Sequence, residues 1–390
     1  MAIFNFKQPN LYLMGLVALL LSCNPNSLQL KKIGEQIFET NFVPSSRFSG
    51  VFEDKITGQE FVYLGNGRTE RKVSFFSSEG KRIKTIDFKK ATRGYSLSDI
   101  SIWSLDTILA LSQNTGLVFF INNNGDLIKT LDIQACIPDS IEARIETSWG
   151  DDFLYNSELY FCLTANGTKI DTSLSGLEWL LEYYNYSLEL PYLLKVDKLF
   201  DNEPNCTPLI DAFYANFISK DYVKDEIPNF TINNDRVYII SLIPDTLYCY
   251  DLTKGHLDRY FIDYKQKTKA HERLLKNNKE NMNKMQEHIL WQTRSASFLT
   301  KCFEDQNDLI HLFAYHKFNG KEEECWDKRN WSWLVYNEHF EKLNEFVITD
   351  YYISPSFSFL TKNGIYLKVR PNYIKNYDPH KTHFDIYAIE

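Results

Sequence analysis

Residues 98–132, SDISIWSLDTILALSQNTGLVFFINNNGDLIKTLD, constrain the fold more than any other part of this 390-residue chain. Ile100 and Ile102 flank polar Ser101 and lead to Trp103, the period-two pattern of a half-buried strand. A turn at residues 104–106 precedes the β-rich run 107–111. Gln113-Asn114-Thr115-Gly116 precedes 117–121, and Asn122-Asn123-Asn124-Gly125 precedes 127–133. Asn and Gly supply the positive φ and the local side-chain bonds that tight turns need. Four short strands joined this way form a meander, which is the unit of a propeller blade.

Variants of the unit recur down the chain. The first spans residues 48–88, the second is 98–132, the third starts near Thr147, the fourth covers 229–262, the fifth 297–348 and the sixth 356–389. Six units at roughly even spacing predict an all-β, six-bladed β-propeller of four-stranded antiparallel blades. The last unit shows only three clear strands, at 357–360, 364–369 and 384–389. Residues 28–42, which carry alternating apolar positions and no blade of their own, are available to supply the fourth and remove an open edge. Two insertions have helical spacing. Residues 173–186 place Leu174, Leu177, Leu181 and Tyr184 on one side, and residues 265–292 place Leu274, Leu275, Met282, Met285 and Ile289 opposite a set of lysines. A basic amphipathic helix can lie on an anionic membrane or a partner, and more often is a solvated helix packed on the blade beside it.

Composition agrees with strands. Hydrophobic residues make up 44% and aromatics 15%, with 28 Phe and 24 Tyr, whereas 16 Gly and 12 Pro are too few for a fibrous or disordered chain. A net charge of −8 argues against nucleic acid, which needs a basic face.

Near the N-terminus, Lys7 is followed by the apolar run 11–22, too short to span a bilayer comfortably. It ends in Leu20-Leu21-Ser22-Cys23, which resembles the lipobox of bacterial lipoproteins. That resemblance implies a signal peptide at 1–22, a lipidated tether at 23–30 anchored through Cys23, and a single propeller domain at 31–390. The tether lacks the acidic cluster that in Bacteroidetes-type lipoproteins marks export to the cell surface. The expected location is therefore the cell envelope, at the periplasmic face of the outer membrane. The remaining six cysteines, Cys136, Cys162, Cys206, Cys249, Cys302 and Cys325, allow disulfides or buried free thiols.

Catalytic motifs are absent: no GxSxG elbow, HExxH, P-loop, GxGxxG, EF-hand loop, Asp-box or kelch signature occurs, and Trp326-Asp327 is not repeated. His380 and His383 with Asp378 and Asp385 have the donors for a metal but suit a surface loop better, so neither metal nor cofactor is expected. One recurrence bears on binding. Arg47, Arg93, Arg144 and Arg294 each stand a few residues before an expected inner strand, near the mouth of the channel, where guanidinium groups can converge on an anionic or carbohydrate ligand. Blade-to-blade ion pairs explain the same arginines. Trp103, Trp149 and Trp291 lie in the same neighbourhoods.

The lipobox, the repeated strand-turn-strand units with Asn-Gly turns, and the ending Gly-Asp-Leu-Ile-Lys-Thr-Leu-Asp at 125–132 together resemble the six-bladed, TolB-like propeller lipoproteins of Bacteroidetes. The family supplies a fold without an established activity. What it implies is a non-enzymatic ligand- or partner-binding module, held on the membrane through Cys23, whose partner is an envelope protein, a glycan or an anionic small molecule. The alternatives are a carbohydrate-active hydrolase or lyase working in the channel, and a structural component of an envelope complex.

Overall fold

The structure, a computed structural model, describes residues 28–138, 140–146, 153–166, 171, 173–174, 176–201, 204–211, 213, 229–241, 246–267, 284, 297–318 and 328–390. Cys23, Arg294, Trp149, Trp291, Cys325 and nearly all of the second expected helix lie outside these residues.

Six sheets make six blades. Blade 1 is β2 (Ser45–Glu53), β3 (Glu60–Asn66), β4 (Lys72–Ser77) and β5 (Arg82–Asp87); blade 2 is β6 (Asp99–Ser104), β7 (Thr107–Ser112), β8 (Leu117–Asn122) and β9 (Leu127–Asp132). Blade 3 has an inner strand in two pieces, β10 (Ala143–Glu146) and β11 (Leu154–Tyr155), both paired with β12 (Glu158–Ala165), followed by β13 (Leu193–Asp197) and β14 (Asn205–Leu209). Blade 4 is β15 (Asn229–Asn233), β16 (Arg236–Ser241), β17 (Thr246–Asp251) and β18 (His256–Phe261). Blade 5 is β19 (Phe298–Glu304), β20 (Ile310–Tyr315), β21 (Trp331–Tyr336) and β22 (Lys342–Ile348). Blade 6 runs outward through β23 (Ile353–Thr361), β24 (Gly364–Val369) and β25 (Lys381–Ile389), and its outermost strand is β1 (Leu30–Glu39) from the start of the described chain. The expected closure therefore forms: β1 and β25 are antiparallel from Leu30↔Ile389 to Glu39↔Lys381. It covers the edge of β25 and joins the two ends of the ring in one sheet.

The core lies between blades rather than at the axis. Each of the six blade-to-blade interfaces carries its own apolar cluster, for example Phe48, Phe75, Ile100 and Phe119 between blades 1 and 2, and Phe38, Phe76, Phe359 and Phe384 between blades 6 and 1. Middle strands are covered on both sides, so β20 and β21 are buried along their whole length, while outer strands such as β18 are largely exposed. This corrects the half-buried expectation for β6. Its Ser101 is fully buried, and its hydroxyl accepts the Phe153 N–H at 3.2 Å, linking blades 2 and 3. Trp103 is half-buried and packs on Phe120 and Phe200.

Blade 3 begins four residues earlier than Thr147, because β10 and β11 are separate pieces of its inner strand. Helix α1 (Gly176–Glu189) interrupts the same blade between β12 and β13, as the spacing of residues 173–186 predicts. Tyr183 and Tyr186 pack it on the cluster between blades 2 and 3, and the Tyr186 hydroxyl accepts the Glu142 N–H at 2.9 Å. Cys136, Cys162, Cys206, Cys249 and Cys302 are free thiols. Cys136 and Cys206 share a hydrogen bond, which holds Cys136 below and Cys206 above the ordinary thiol range.

Candidate functional site

Every inner strand presents one side to the propeller axis. There, β2, β6, β15, β19 and β23 enclose a cavity of about 300 Å³. Charged and polar side chains stand in its wall: Arg47 from β2, Asp99 from β6, Lys301 and Glu304 from β19, and Ser358 from β23. Asp99, Lys301 and Glu304 are each at most 6% exposed. Charges at this depth persist only when opposite charges and hydrogen bonds surround them.

The surroundings are visible. Burial pushes the Arg47 guanidinium below its usual range and neighbouring Arg68 adds to this, while Asp99 and Glu146 pull it back. The Asp99 carboxylate accepts the Ile100 N–H at 2.8 Å. Glu304 accepts the Tyr238 hydroxyl at 2.6 Å, and burial, with Glu304 beside it, pushes that phenol far above its normal range. Asn233 donates its amide to the Glu304 carbonyl at 2.8 Å, tying blade 4 to blade 5. Two cations, two carboxylates and a hydroxyl thus face one small space, a set suited to a hydroxyl-rich or zwitterionic molecule.

A second cavity, of about 390 Å³, opens beside the first where the inner strands turn back, and it is lined in part by Glu60, Asp305, His311 and Lys362. Histidine beside aspartate resembles acid–base machinery, but both ring nitrogens of His311 are engaged. The Trp333 indole donates to Nδ1 at 3.1 Å, and an indole can only donate, so the proton sits on Nε2 and points at Asp305 Oδ2, 3.1 Å away. Burial pushes the Asp305 carboxyl up, yet hydrogen bonds from His311, Leu309 and Asn307 leave it below the usual carboxylate range. Here the imidazole serves as a strut between strand and turn.

Of the arginines expected at the channel mouth, only Arg47 lines the central cavity. Arg144 lies inside β10, exposed, with its Nη2 3.9 Å from Glu146. Arg93 is exposed in the connection between blades 1 and 2, and Arg294 lies outside the described residues. The pattern of arginines before inner strands therefore does not converge on one cavity among the described residues. Asp99, Lys301 and Glu304 escaped sequence reasoning because they lie inside inner strands, not before them. Their signal was a charged residue in an otherwise apolar strand. His380 and Asp378 form a turn, with the His380 N–H on Asp378 Oδ1 at 2.9 Å, and Asp385 pairs with Lys32 at 3.0 Å. Among the described residues no group of three or more His, Cys, Asp or Glu is placed to hold a metal ion. Nor is any described helix long and apolar enough to cross a membrane.

No protein-family model matches the sequence, and no curated protein matches it. Solved structures do. A member of the DUF4221 family from Bacteroides vulgatus is 16% identical, with a TM-score of 0.69 over 94% of this chain and 99% of that one. A Bacteroides fragilis protein described as exported is 9% identical, with a TM-score of 0.51 over 93% and 95%. At such identities the likeness is one of fold, and the fold shared is the six-bladed β-propeller.

Proposed function

We propose that this protein is an exported, lipid-anchored propeller that binds a small polar molecule in its central channel and releases it unchanged. The observation that carries the binding reading is the channel wall itself: Arg47, Asp99, Lys301 and Glu304 bring four ionisable groups to one cavity. Buried charge of that kind costs stability, and a polar ligand that offsets its desolvation is a physical reason to keep it. Export is supported by Leu20-Leu21-Ser22-Cys23 and by the likeness to a Bacteroides protein described as exported. The tether without acidic residues supports the periplasmic face of the outer membrane.

The binding test is a thermal-shift screen of the full chain in detergent against glycans and zwitterionic metabolites, with mass analysis of the recovered compound. A stabilising compound recovered intact, whose effect is lost in Arg47→Met with Lys301→Met, is the expected result; a compound recovered cleaved overturns the binding reading in favour of a hydrolase or lyase. For anchoring, Cys23→Ser is expected to move the protein from the membrane fraction to the soluble one. Unchanged fractionation refutes the lipid anchor.

A further inference from the structure

A third cavity, of about 380 Å³, lies at the face where chains pass from one blade to the next, at the junction of blades 5, 6 and 1. Its wall carries Lys368 and Arg370 from the end of β24 and just beyond, hydroxyls from Ser354 and Ser356 of β23 and Ser46 of β2, and Tyr315 at the end of β20. None of its lining residues is a carboxylate. Lys368 is the anomaly. Its ammonium lies over the Phe357 ring, 4.7 Å from the centroid, and it makes no ion pair among the described residues. Burial, with no charge opposing it, holds Lys368 below the ordinary lysine range.

The surroundings add positive charge rather than removing it. Arg370 is 9% exposed and fixed by its Nε–H on the Ile353 carbonyl at 3.2 Å. Behind the pocket, the fully buried Arg329 guanidinium stacks on Tyr315, 5.5 Å from the ring centroid. The Tyr315 hydroxyl lies 2.8 Å from that of Ser356 and also bonds that of Ser354, so three hydroxyls cluster on this wall. A desolvated cation costs least when an anion shares its site.

We infer that this pocket binds a compact oxyanion, a phosphate, sulfate or carboxylate group, between Lys368, Arg370 and the hydroxyls of Ser354 and Ser356. Charge-assisted bonds from an ammonium, a planar guanidinium and serine hydroxyls are the ordinary means of holding such a group. The site is separate from the channel cavity and does not depend on what the channel binds.

Inorganic phosphate is the probe, titrated against the full chain in detergent at constant ionic strength made up with chloride. A saturable rise in melting temperature is expected, about 2 °C at tenfold excess over the dissociation constant. The general stabilisation by excluded anions is linear and does not saturate. Lys368→Met is expected to leave the melting temperature without phosphate unchanged or higher, since a desolvated charge is gone, and to abolish the saturable rise. Lys368→Arg keeps the charge and is expected to keep the rise, which separates loss of binding from damage to the fold. Arg47→Met, altering the channel alone, is expected to leave the phosphate response intact. A wild-type response no greater than that of chloride, or a saturable rise that survives Lys368→Met, overturns the site.

Discussion

The two faces of the ring are built by different rules. On one face the first strand of each blade turns into the second and, in blades 1 to 5, the third into the fourth, and no connection there is longer than 198–204. These turns are held by side chains at strand ends. Asn122 Oδ1 accepts the N–H of Asn124 and of Asp126, Asp251 Oδ1 those of Thr253 and Lys254, and Asn337 Oδ1 those of His339 and Glu341, all at 2.9 to 3.0 Å. On the opposite face lie the strand ends from which the blade-to-blade passages and the second-to-third strand connections leave, among them the ends joined through α1 in blade 3. Lys368 and its cavity belong to that second face. The difference teaches where variation is tolerated: one face sets register blade after blade, and the other is free to carry what distinguishes one propeller from another.

Both faces presuppose a closed ring, so the largest effect is expected from opening it. A chain that begins at Phe42 loses β1, exposes the edge of β25 and removes Phe38, which is wholly buried between blades 6 and 1. It is expected to give no cooperative urea transition, whereas the full chain gives one. Two glycines then compare the faces directly. On the turn face Gly125 has φ +81°, and a Cβ there would lie 1.9 Å from the Asp87 carbonyl oxygen, so Gly125→Ala is expected to cost about 3–5 kcal/mol in urea unfolding. Gly94, on the other face, has φ +89° with nothing within 4 Å of such a Cβ, and Gly94→Ala is expected to cost only about 1 kcal/mol, the conformational part alone. Equal losses would erase the distinction between the faces.

Acid separates them as well. His316 opens the 316–330 connection and is 1% exposed; its Nε2 bonds the Ser332 hydroxyl at 2.7 Å, and that hydroxyl in turn donates to Glu345. Burial drives its pKa down to about 4, with Arg329 and Lys265 pushing the same way and Glu345 opposing. A histidine whose folded pKa is depressed takes up its proton sooner in the unfolded chain. Stability is therefore lost as pH falls from about 6.5 to about 4, by up to roughly 3 kcal/mol. On the turn face the hydrogen-bonded carboxyls of Asp251 and Asp305 are also held low, so they withdraw stability only as pH falls below the ordinary carboxylate range. Urea titrations from pH 7 to 3 should show two stages, and His316→Gln should flatten the first. A first stage unchanged in that variant would mean that His316 is not its source.

The same contrast explains what could be read in advance. Turn-face signals are local: an Asn or Asp at a strand end with Gly or Asn beyond it announces its own geometry, as at 122–125, so blade number and most blade limits followed from the chain. Closure by β1 followed from counting strands. The polar channel did not, because Asp99, Lys301 and Glu304 meet only through the circular arrangement of blades that are remote in sequence. Lys368 is equally silent, being one lysine near a strand end until the folded ring shows that among the described residues no carboxylate stands opposite it. The split inner strand of blade 3 was missed because β10 and β11 are each too short to show a period.

The finest test compares one cap with one exposed charge. Asn122 lies at the end of β8 and uses a single side-chain oxygen to satisfy two turn N–H groups, so Asn122→Ala leaves both to water and is expected to cost about 1 kcal/mol. Asn122→Asp keeps an acceptor of the same shape and should recover most of that loss, which shows that the bond matters and not the volume. Arg93 on the other face is exposed, its backbone N–H bonds the Lys90 carbonyl at 3.5 Å, and its side chain makes no hydrogen bond or ion pair among the described residues. Arg93→Ala should change unfolding by less than about 0.5 kcal/mol. The same Arg93→Ala variant decides whether this arginine has any part in binding. If the compound that stabilises through Arg47 and Lys301 loses its effect in Arg93→Ala as well, the connection at 88–98 folds over the channel when a ligand is present. An unchanged effect confines recognition to the inner strands.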